Sequence, residues 1–232
     1  MDGSTSFRFS DFLAAVDRDG ALAEASERLA TSRRAFVGGV IAGGALLAGA
    51  APARAARSGL AKSDLSILNY ALVLEYLQAS FYTEAERGGA LTGKTAAAAR
   101  VVGAVERAHV KAFLELLGSK AVKRPLFDFQ GTTEQQRPFL KTAVAFEDLA
   151  VAAYKGQAPR LQSKAVLAAA IGIHSVEARH AAWMRELFGI TPAVHAFDQP
   201  ASRPRIERIV ASTHFIVRRP QTKGRRKPKY TG

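Results

Sequence analysis

The chain has 232 residues, enough for one substantial domain but not for two large ones. Hydrophobic residues make up 48% of it and alanine is abundant, so a globular and largely helical protein is expected. Because the sequence contains no cysteine, disulfides, thiolate metal sites and cysteine nucleophiles are excluded. The formal net charge is +13, and residues 203–232 carry ten basic side chains against Glu207 alone. The body of the protein is therefore close to neutral, and its C-terminus is basic.

The first 55 residues have the pattern of an export signal. Arg33 and Arg34 precede an uncharged run rich in glycine and alanine, residues 38–51, and Ala53-Arg54-Ala55 follows it. This resembles a twin-arginine signal peptide, with cleavage expected after Ala55. The alternative is an uncleaved membrane anchor, although the run is short beside the roughly 20 apolar residues of a typical span. In either case we expect export across the cytoplasmic membrane, to a periplasmic, cell-envelope or secreted location, with the twin-arginine export machinery as a partner.

Two helices with apolar stripes are predicted in the first half of the mature chain. The first is expected to begin at an N-cap in Ser63-Asp64 and to end at Gly88-Gly89. The second is expected from about Thr95 to Leu117, with Gly118 ending it. A short loop joins them, whereas the segment 119–131 is a longer crossing connection.

Two further helices repeat this arrangement. The third is expected to begin at a capping box, in which Thr132 or Thr133 is followed three residues later by glutamine, and to end at Gly156. The fourth is expected over residues 163–188, with Gly189 as its C-terminal cap. Two antiparallel helix pairs joined by a longer crossover are the topology of an all-α four-helix bundle.

After the fourth helix the helical pattern weakens. Residues 206–210 are predicted as a short helix packed on the bundle, and residues 218–232 as a disordered basic tail. The tail is interpreted either as a solubilising end or as a surface for anionic envelope polymer, membrane headgroups or nucleic acid. The predicted domains are the signal peptide over 1–55, the bundle over 56–200 and the C-terminal extension over 201–232.

Each half of the bundle carries the same acidic and histidine pattern within its apolar stripes. It consists of a lone glutamate and then a Glu-x-x-His motif, 31 residues later in the first half and 30 in the second. Within each motif the carboxylate and the imidazole lie about one turn apart on one helix face. This is the ligand arrangement of a di-metal carboxylate four-helix bundle. The six candidate metal ligands are Glu75, Glu106, His109, Glu147, Glu177 and His180.

Four carboxylates between packed helices need cations or bound protons. A buried unpaired carboxylate is costly, and neighbouring carboxylates raise one another's pKa. Two divalent metals would balance the four charges, with one neutral imidazole for each metal. We expect Glu106 and Glu177 to bridge the metals and the lone glutamates to be terminal ligands. Oxygen and imidazole ligands without thiolate favour two Fe or two Mn ions over structural zinc. The alternative for a single Glu-x-x-His motif is a solvated helix face.

Three further residues are expected near this site. Tyr82 and Tyr154 share the stripes of the lone glutamates, and they are interpreted as hydrogen-bond donors to ligand carboxylates or as electron carriers. The alternative is a core tyrosine that caps the site. His174 lies one turn before Glu177, where contact with a ligand, or plain packing, is expected rather than metal ligation.

Three stretches resemble the ferritin-like superfamily: LNYALVLEYL at 68–77, AFEDLAVAAY at 145–154 and FDQP at 197–200. They are similar to stretches of exported bacterial ferritin-like proteins related to desiccation-associated proteins, over about residues 60–200. The resemblance implies a di-iron or di-manganese centre like those of ferritins, rubrerythrins and manganese catalases. Because cysteine is absent, no rubredoxin-type partner domain is expected, and the long basic tail is not part of the family pattern.

The site and the resemblance together lead us to expect redox chemistry with O2 or peroxide. Ferroxidase activity and manganese-catalase-like peroxide disproportionation, in the service of stress protection, are the leading reactions for such an oxidoreductase. The alternative is a non-catalytic structural or desiccation-stress protein in which the metals staple the bundle. The sequence leaves the choice between them open, together with assembly into a homo-oligomer.

Overall fold

The computed structural model describes residues 60–218. Five α-helices lie in this range: α1 (Lys62–Gly88), α2 (Gly93–Leu117), α3 (Gln136–Gln157), α4 (Lys164–Phe188) and α5 (Arg203–Thr213). Two short strands, β1 (Leu126–Phe127) and β2 (Ile216–Val217), pair antiparallel. The predicted signal peptide and residues 219–232 of the predicted basic tail lie outside the described residues. No helix between residues 60 and 218 has the length and apolar character needed to span a membrane.

The first four helices form an all-α four-helix bundle, as the stripe pattern predicts. α1 packs along α2, and α3 packs along α4, because a short loop joins the two helices of each pair. The pairs meet through contacts of α1 with α3 and of α2 with α4. The connection between the pairs carries β1, so that the crossover is anchored by its pairing with β2 near the end of the described chain.

An aromatic cluster holds the crossover against the bundle. The ring of Phe81 on α1 is fully buried and stacks on Phe139 of α3, with the ring centroids 5.0 Å apart. Phe129 of the crossover meets Phe81 edge to face at 5.3 Å and meets Phe215, beside β2, at 5.5 Å. Aromatic pairs in this geometry add attraction beyond the area that they bury. The cluster therefore ties α1, α3 and the crossover into one core.

Several predicted helix ends are confirmed. Gly89 and Gly189 follow α1 and α4 in the left-handed conformation, with φ of 65° and 84°, which glycine adopts without steric cost. Ser163 caps α4 by accepting a hydrogen bond from the backbone N–H of Val166. The predicted short C-terminal helix is also present as α5, which extends beyond residues 206–210 at both ends.

The predicted N-cap of the first helix is wrong. α1 begins at Lys62 with Ala61 as its N-cap, and Asp64 lies inside the first turn, fully buried. The Asp64 carboxylate accepts hydrogen bonds from the backbone N–H groups of Gln162 and Ser163, both at 2.9 Å. The side chain therefore caps the start of α4, a helix about 100 residues further along the chain, instead of its own helix.

Both predicted ends of the third helix are also wrong. α3 begins after Gln135, without a side-chain cap, because the Thr133 hydroxyl donates instead to Glu84 on α1, at 2.7 Å. At the other end α3 continues past Gly156 to Gln157. A Cβ atom at Gly156 would collide with the backbone carbonyl of Ala201, so this glycine serves close packing rather than helix termination.

Candidate metal centre

The six candidate ligands meet in the interior of the bundle. Each of the four helices that form the bundle contributes at least one of them, because each helix turns its apolar stripe inward. All four glutamates expose 1% of their surface or less. The imidazole side chains are also largely buried, at 12% exposed for His109 and 7% for His180. The site is therefore almost completely enclosed, and His109 is the most exposed of its six residues.

The six residues form two overlapping clusters that could each hold a metal ion. One cluster consists of Glu75, Glu106, His109 and Glu177. The other consists of Glu106, Glu147, Glu177 and His180. In each cluster the ligand atoms all lie within 4.8 Å of one another. Glu106 and Glu177 belong to both clusters, whereas Glu75 belongs only to the first and Glu147 only to the second. This placement is the one expected for two shared and two terminal carboxylates.

Each shared carboxylate presents one oxygen to each imidazole. Glu106 places Oε1 3.0 Å from Nδ1 of His180 and Oε2 3.7 Å from Nδ1 of His109. Glu177 places Oε1 3.2 Å from Nδ1 of His109 and Oε2 3.9 Å from Nδ1 of His180. The two carboxylates thus lie between two imidazole nitrogens that point into the site, an arrangement suited to bridging two ions.

The two tyrosines form hydrogen bonds that join the two helix pairs. Tyr82 of α1 donates its hydroxyl hydrogen to Oε1 of Glu147 on α3, at 2.5 Å. Tyr154 of α3 donates in the same way to Oε1 of Glu75 on α1. Each hydroxyl therefore occupies one oxygen of a lone glutamate and leaves its other oxygen, Oε2, facing the histidine of its own cluster. Hydrogen bonds of this kind orient a carboxylate before a metal binds.

The polar atoms at the centre lack hydrogen-bond partners among the described residues. They are both oxygens of Glu106, Oε2 of Glu147, Oε1 of Glu177 and Nδ1 of His180, and all are buried. The close contact between His180 and Glu106 does not have hydrogen-bond geometry. Leaving a buried polar atom without a partner costs about 1–3 kcal/mol. These atoms are the donor atoms that a pair of cations would need, so the residues fit a di-metal centre.

The pKa values describe one buried cluster in which the titratable groups shift one another strongly. Burial raises the pKa of Glu75 to about 7, against the opposing pull of His109. For Glu106, burial alone would raise the pKa, but the contacts with the two histidines outweigh burial, and the pKa is lowered to about 2. For His180 the facing carboxylates overcome the opposite effect of burial and raise the pKa to about 10. Metal ligands bind in their deprotonated forms, so metal binding would release protons from this cluster.

Two nearby residues complete the description. His174 is partly buried, and its Nε2 has no hydrogen-bond partner within residues 60–218. It belongs to neither cluster, and its role beside a ligand stays a prediction. Gln78, which the sequence reasoning missed, is buried and donates from Nε2 to Oε2 of Glu177 at 3.4 Å. Its position one turn after Glu75 in the same stripe was the available signal.

Comparison with known proteins agrees with this architecture. Residues 63–189 match the ferritin-like domain family. The match covers more than half of the chain and includes all six candidate ligands, and the protein therefore belongs to the ferritin-like domain family. No curated protein matches the chain.

Proposed function

We propose that this protein is an exported di-metal carboxylate protein that binds two iron or manganese ions. When bound, the ions would supply redox chemistry with O2 or peroxide, of the ferroxidase or catalase-like kind, and the protein would act in stress protection. One observation carries the proposal: both buried oxygens of Glu106 lack hydrogen-bond partners among the described residues and face an imidazole on either side. A bridging carboxylate needs this arrangement, whereas a structural glutamate would have a donor.

The roles of the side chains follow from their places in the site. Glu75 and His109 would hold one ion, Glu147 and His180 the other, and the two shared carboxylates would bridge them. When bound, such ions supply one-electron redox steps and open coordination positions for a small oxygen species. The crossed tyrosines hold the terminal carboxylates in place, and burial of the site excludes bulk water. Only small substrates fit this description, since so little of the site is exposed.

The first test is the metal content of the full chain. Protein folded with Fe(II) or Mn(II), and then freed of loosely bound ions, is expected to hold about two ions per chain by elemental analysis. A Glu106→Ala/Glu177→Ala variant should hold none, because it lacks both bridges. The matched control is Glu115→Ala/Glu134→Ala, which removes two exposed carboxylates and should keep both ions. Folded protein without metal under these conditions would overturn the proposal.

The second test separates a redox enzyme from a metal-stapled structural protein. The structural alternative is favoured by the depth of the site, whose four glutamates are almost completely buried. Loaded protein is mixed with peroxide, and in a separate reaction with Fe(II) and O2, while oxygen concentration is recorded. Turnover that disappears in the bridge variant supports the enzyme. Stable retention of both ions until unfolding, without any turnover, supports the structural protein.

Export and the basic tail are part of the proposal and rest on the sequence pattern alone. Replacing Arg33 and Arg34 by lysine should retain the protein in the cytoplasmic fraction if the twin-arginine machinery transports it. Deleting residues 219–232 should weaken salt-sensitive binding to anionic vesicles or envelope polymer, without changing metal content, if the tail is a binding surface. Sedimentation analysis of the same preparations reports whether the chain forms a homo-oligomer.

A further inference from the structure

The two halves of the candidate metal centre carry the same ligands and tyrosines, but they differ at one buried position beside them. Both halves provide a lone glutamate, a tyrosine seven residues later and a Glu-x-x-His motif on the following helix. Three residues after the lone glutamate, however, the first half has Gln78 and the second half has Ala150. Both side chains are buried, at 2% and 1% exposed. The centre is therefore polar on one side, where its counterpart is apolar.

Because of this difference, the two shared carboxylates have different hydrogen-bond partners. Gln78 donates from Nε2 to Oε2 of Glu177, so that only Oε1 of Glu177 is left without a hydrogen-bond partner among the described residues. On the other side Ala150 has no side-chain donor, and both oxygens of Glu106 are without a partner there. One shared carboxylate is thus restrained by an amide, and the other lies free of any such restraint within residues 60–218.

We propose that Gln78 is a positioning residue that holds Glu177 as the fixed bridge between the two metal positions. The inference rests on the proposed di-metal function. The amide keeps Oε2 of Glu177 turned toward the His180 side, which leaves Oε1 directed at His109. Glu106 has no such amide donor among the described residues, so it would be the less restrained of the two shared carboxylates when metal is bound. Hydrogen-bonded partners of this kind typically contribute 10- to 100-fold to metal affinity.

The same contact contributes little to the fold. A donor-acceptor distance of 3.4 Å is at the long end of the hydrogen-bond range, so the bond is weak in the metal-free protein. An apolar side chain of similar volume at this position also avoids burying an amide. Gln78→Leu also takes the donor away from Oε2 of Glu177, so the two effects oppose each other, and the metal-free variant is expected to fold with a urea midpoint near that of wild type while its affinity for metal falls.

The experiment compares Mn(II) affinity in the full chain by competition with a chelator, beside urea unfolding of the metal-free protein. Gln78→Leu is expected to bind Mn(II) roughly 10- to 100-fold more weakly, and still to reach the wild-type ion count at saturation. The matched control is Gln157→Leu, which alters a buried glutamine whose Nε2 has no hydrogen-bond partner among the described residues. Its Mn(II) affinity should equal that of wild type.

The outcomes separate this inference from the proposed function. Wild-type protein that binds neither Mn(II) nor Fe(II) overturns both, and if only Fe(II) binds, the two affinities are compared with Fe(II). Wild-type protein that binds two ions, together with a Gln78→Leu variant of unchanged affinity, overturns the positioning role and leaves the di-metal function intact. If the leucine variant does not fold, Gln78→Asn gives the same decision, because asparagine stays polar but is one methylene too short to reach Glu177.

Discussion

Asp64 offers a direct test of how the two helix pairs are held together. Its fully buried carboxylate accepts hydrogen bonds from the backbone N–H groups of Gln162 and Ser163, each at 2.9 Å. These bonds hold the start of α4 against α1. A hydrogen bond to a charged group contributes about 1.5–3 kcal/mol. The Asp64→Ala substitution removes two of them and leaves two N–H groups without acceptors. We expect the free energy of unfolding to fall by roughly 3–6 kcal/mol.

The assay is urea unfolding of the metal-free full chain, followed by circular dichroism. Asp64→Asn keeps one acceptor oxygen but turns an NH2 group toward the other N–H, so its loss should be intermediate. Asp198→Ala, at an exposed position, is the control and should change the free energy of unfolding by less than about 0.5 kcal/mol. A loss below about 1 kcal/mol in Asp64→Ala would refute the reasoning, since two hydrogen bonds to a buried carboxylate should contribute more than that.

Three other predictions concern the site and its surroundings. Tyr154→Phe loses the hydrogen bond to the lone glutamate of α1 and should lower Mn(II) affinity roughly 10- to 100-fold, whereas Tyr76→Phe, whose hydroxyl meets a backbone carbonyl elsewhere, should not. Gly156→Ala should lower the free energy of unfolding by roughly 1–3 kcal/mol through overpacking, while Gly172→Ala, with open space around it in α4, should raise it by about 0.5–1 kcal/mol. The pKa of His180 is raised from 6.5 to about 10, so its stabilisation is complete below pH 6.5 and is lost as the pH rises through 10. Urea midpoints of the metal-free protein should therefore fall across that window, and a flat profile would contradict this assignment.

The helical framework was predictable because its signals are local. Apolar residues at helical spacing identify the inner face of each helix, and they place Glu75 and Glu147 on it without knowledge of any partner helix. Gly89 and Gly189 end their helices because only glycine enters the left-handed conformation at little cost. The antiparallel pairing within each half was predictable because a short loop joins the two helices of each pair.

Other features depend on residues that are distant in sequence. Asp64 and Thr133 both look like local helix caps, yet each bonds to a different helix because that partner is brought beside it by packing. Gly156 looks like a helix end, but the approach of Ala201 is what requires it to be a glycine. Two strands of two residues each carry no recognisable periodicity, so the sequence reasoning missed them.

In the candidate site, too, some features were predictable from local sequence and others depend on tertiary packing. By itself the sequence determined which six residues face inward and that they recur in two halves, because spacing within a helix sets the face of each side chain. Only the tertiary structure decided that the tyrosines cross between the pairs, that Glu106 lies between two imidazoles without a hydrogen-bond partner among the described residues, and that Gln78 reaches Glu177. The physical reason is that the rotation and height of one helix against another depend on the whole core, which no local pattern encodes.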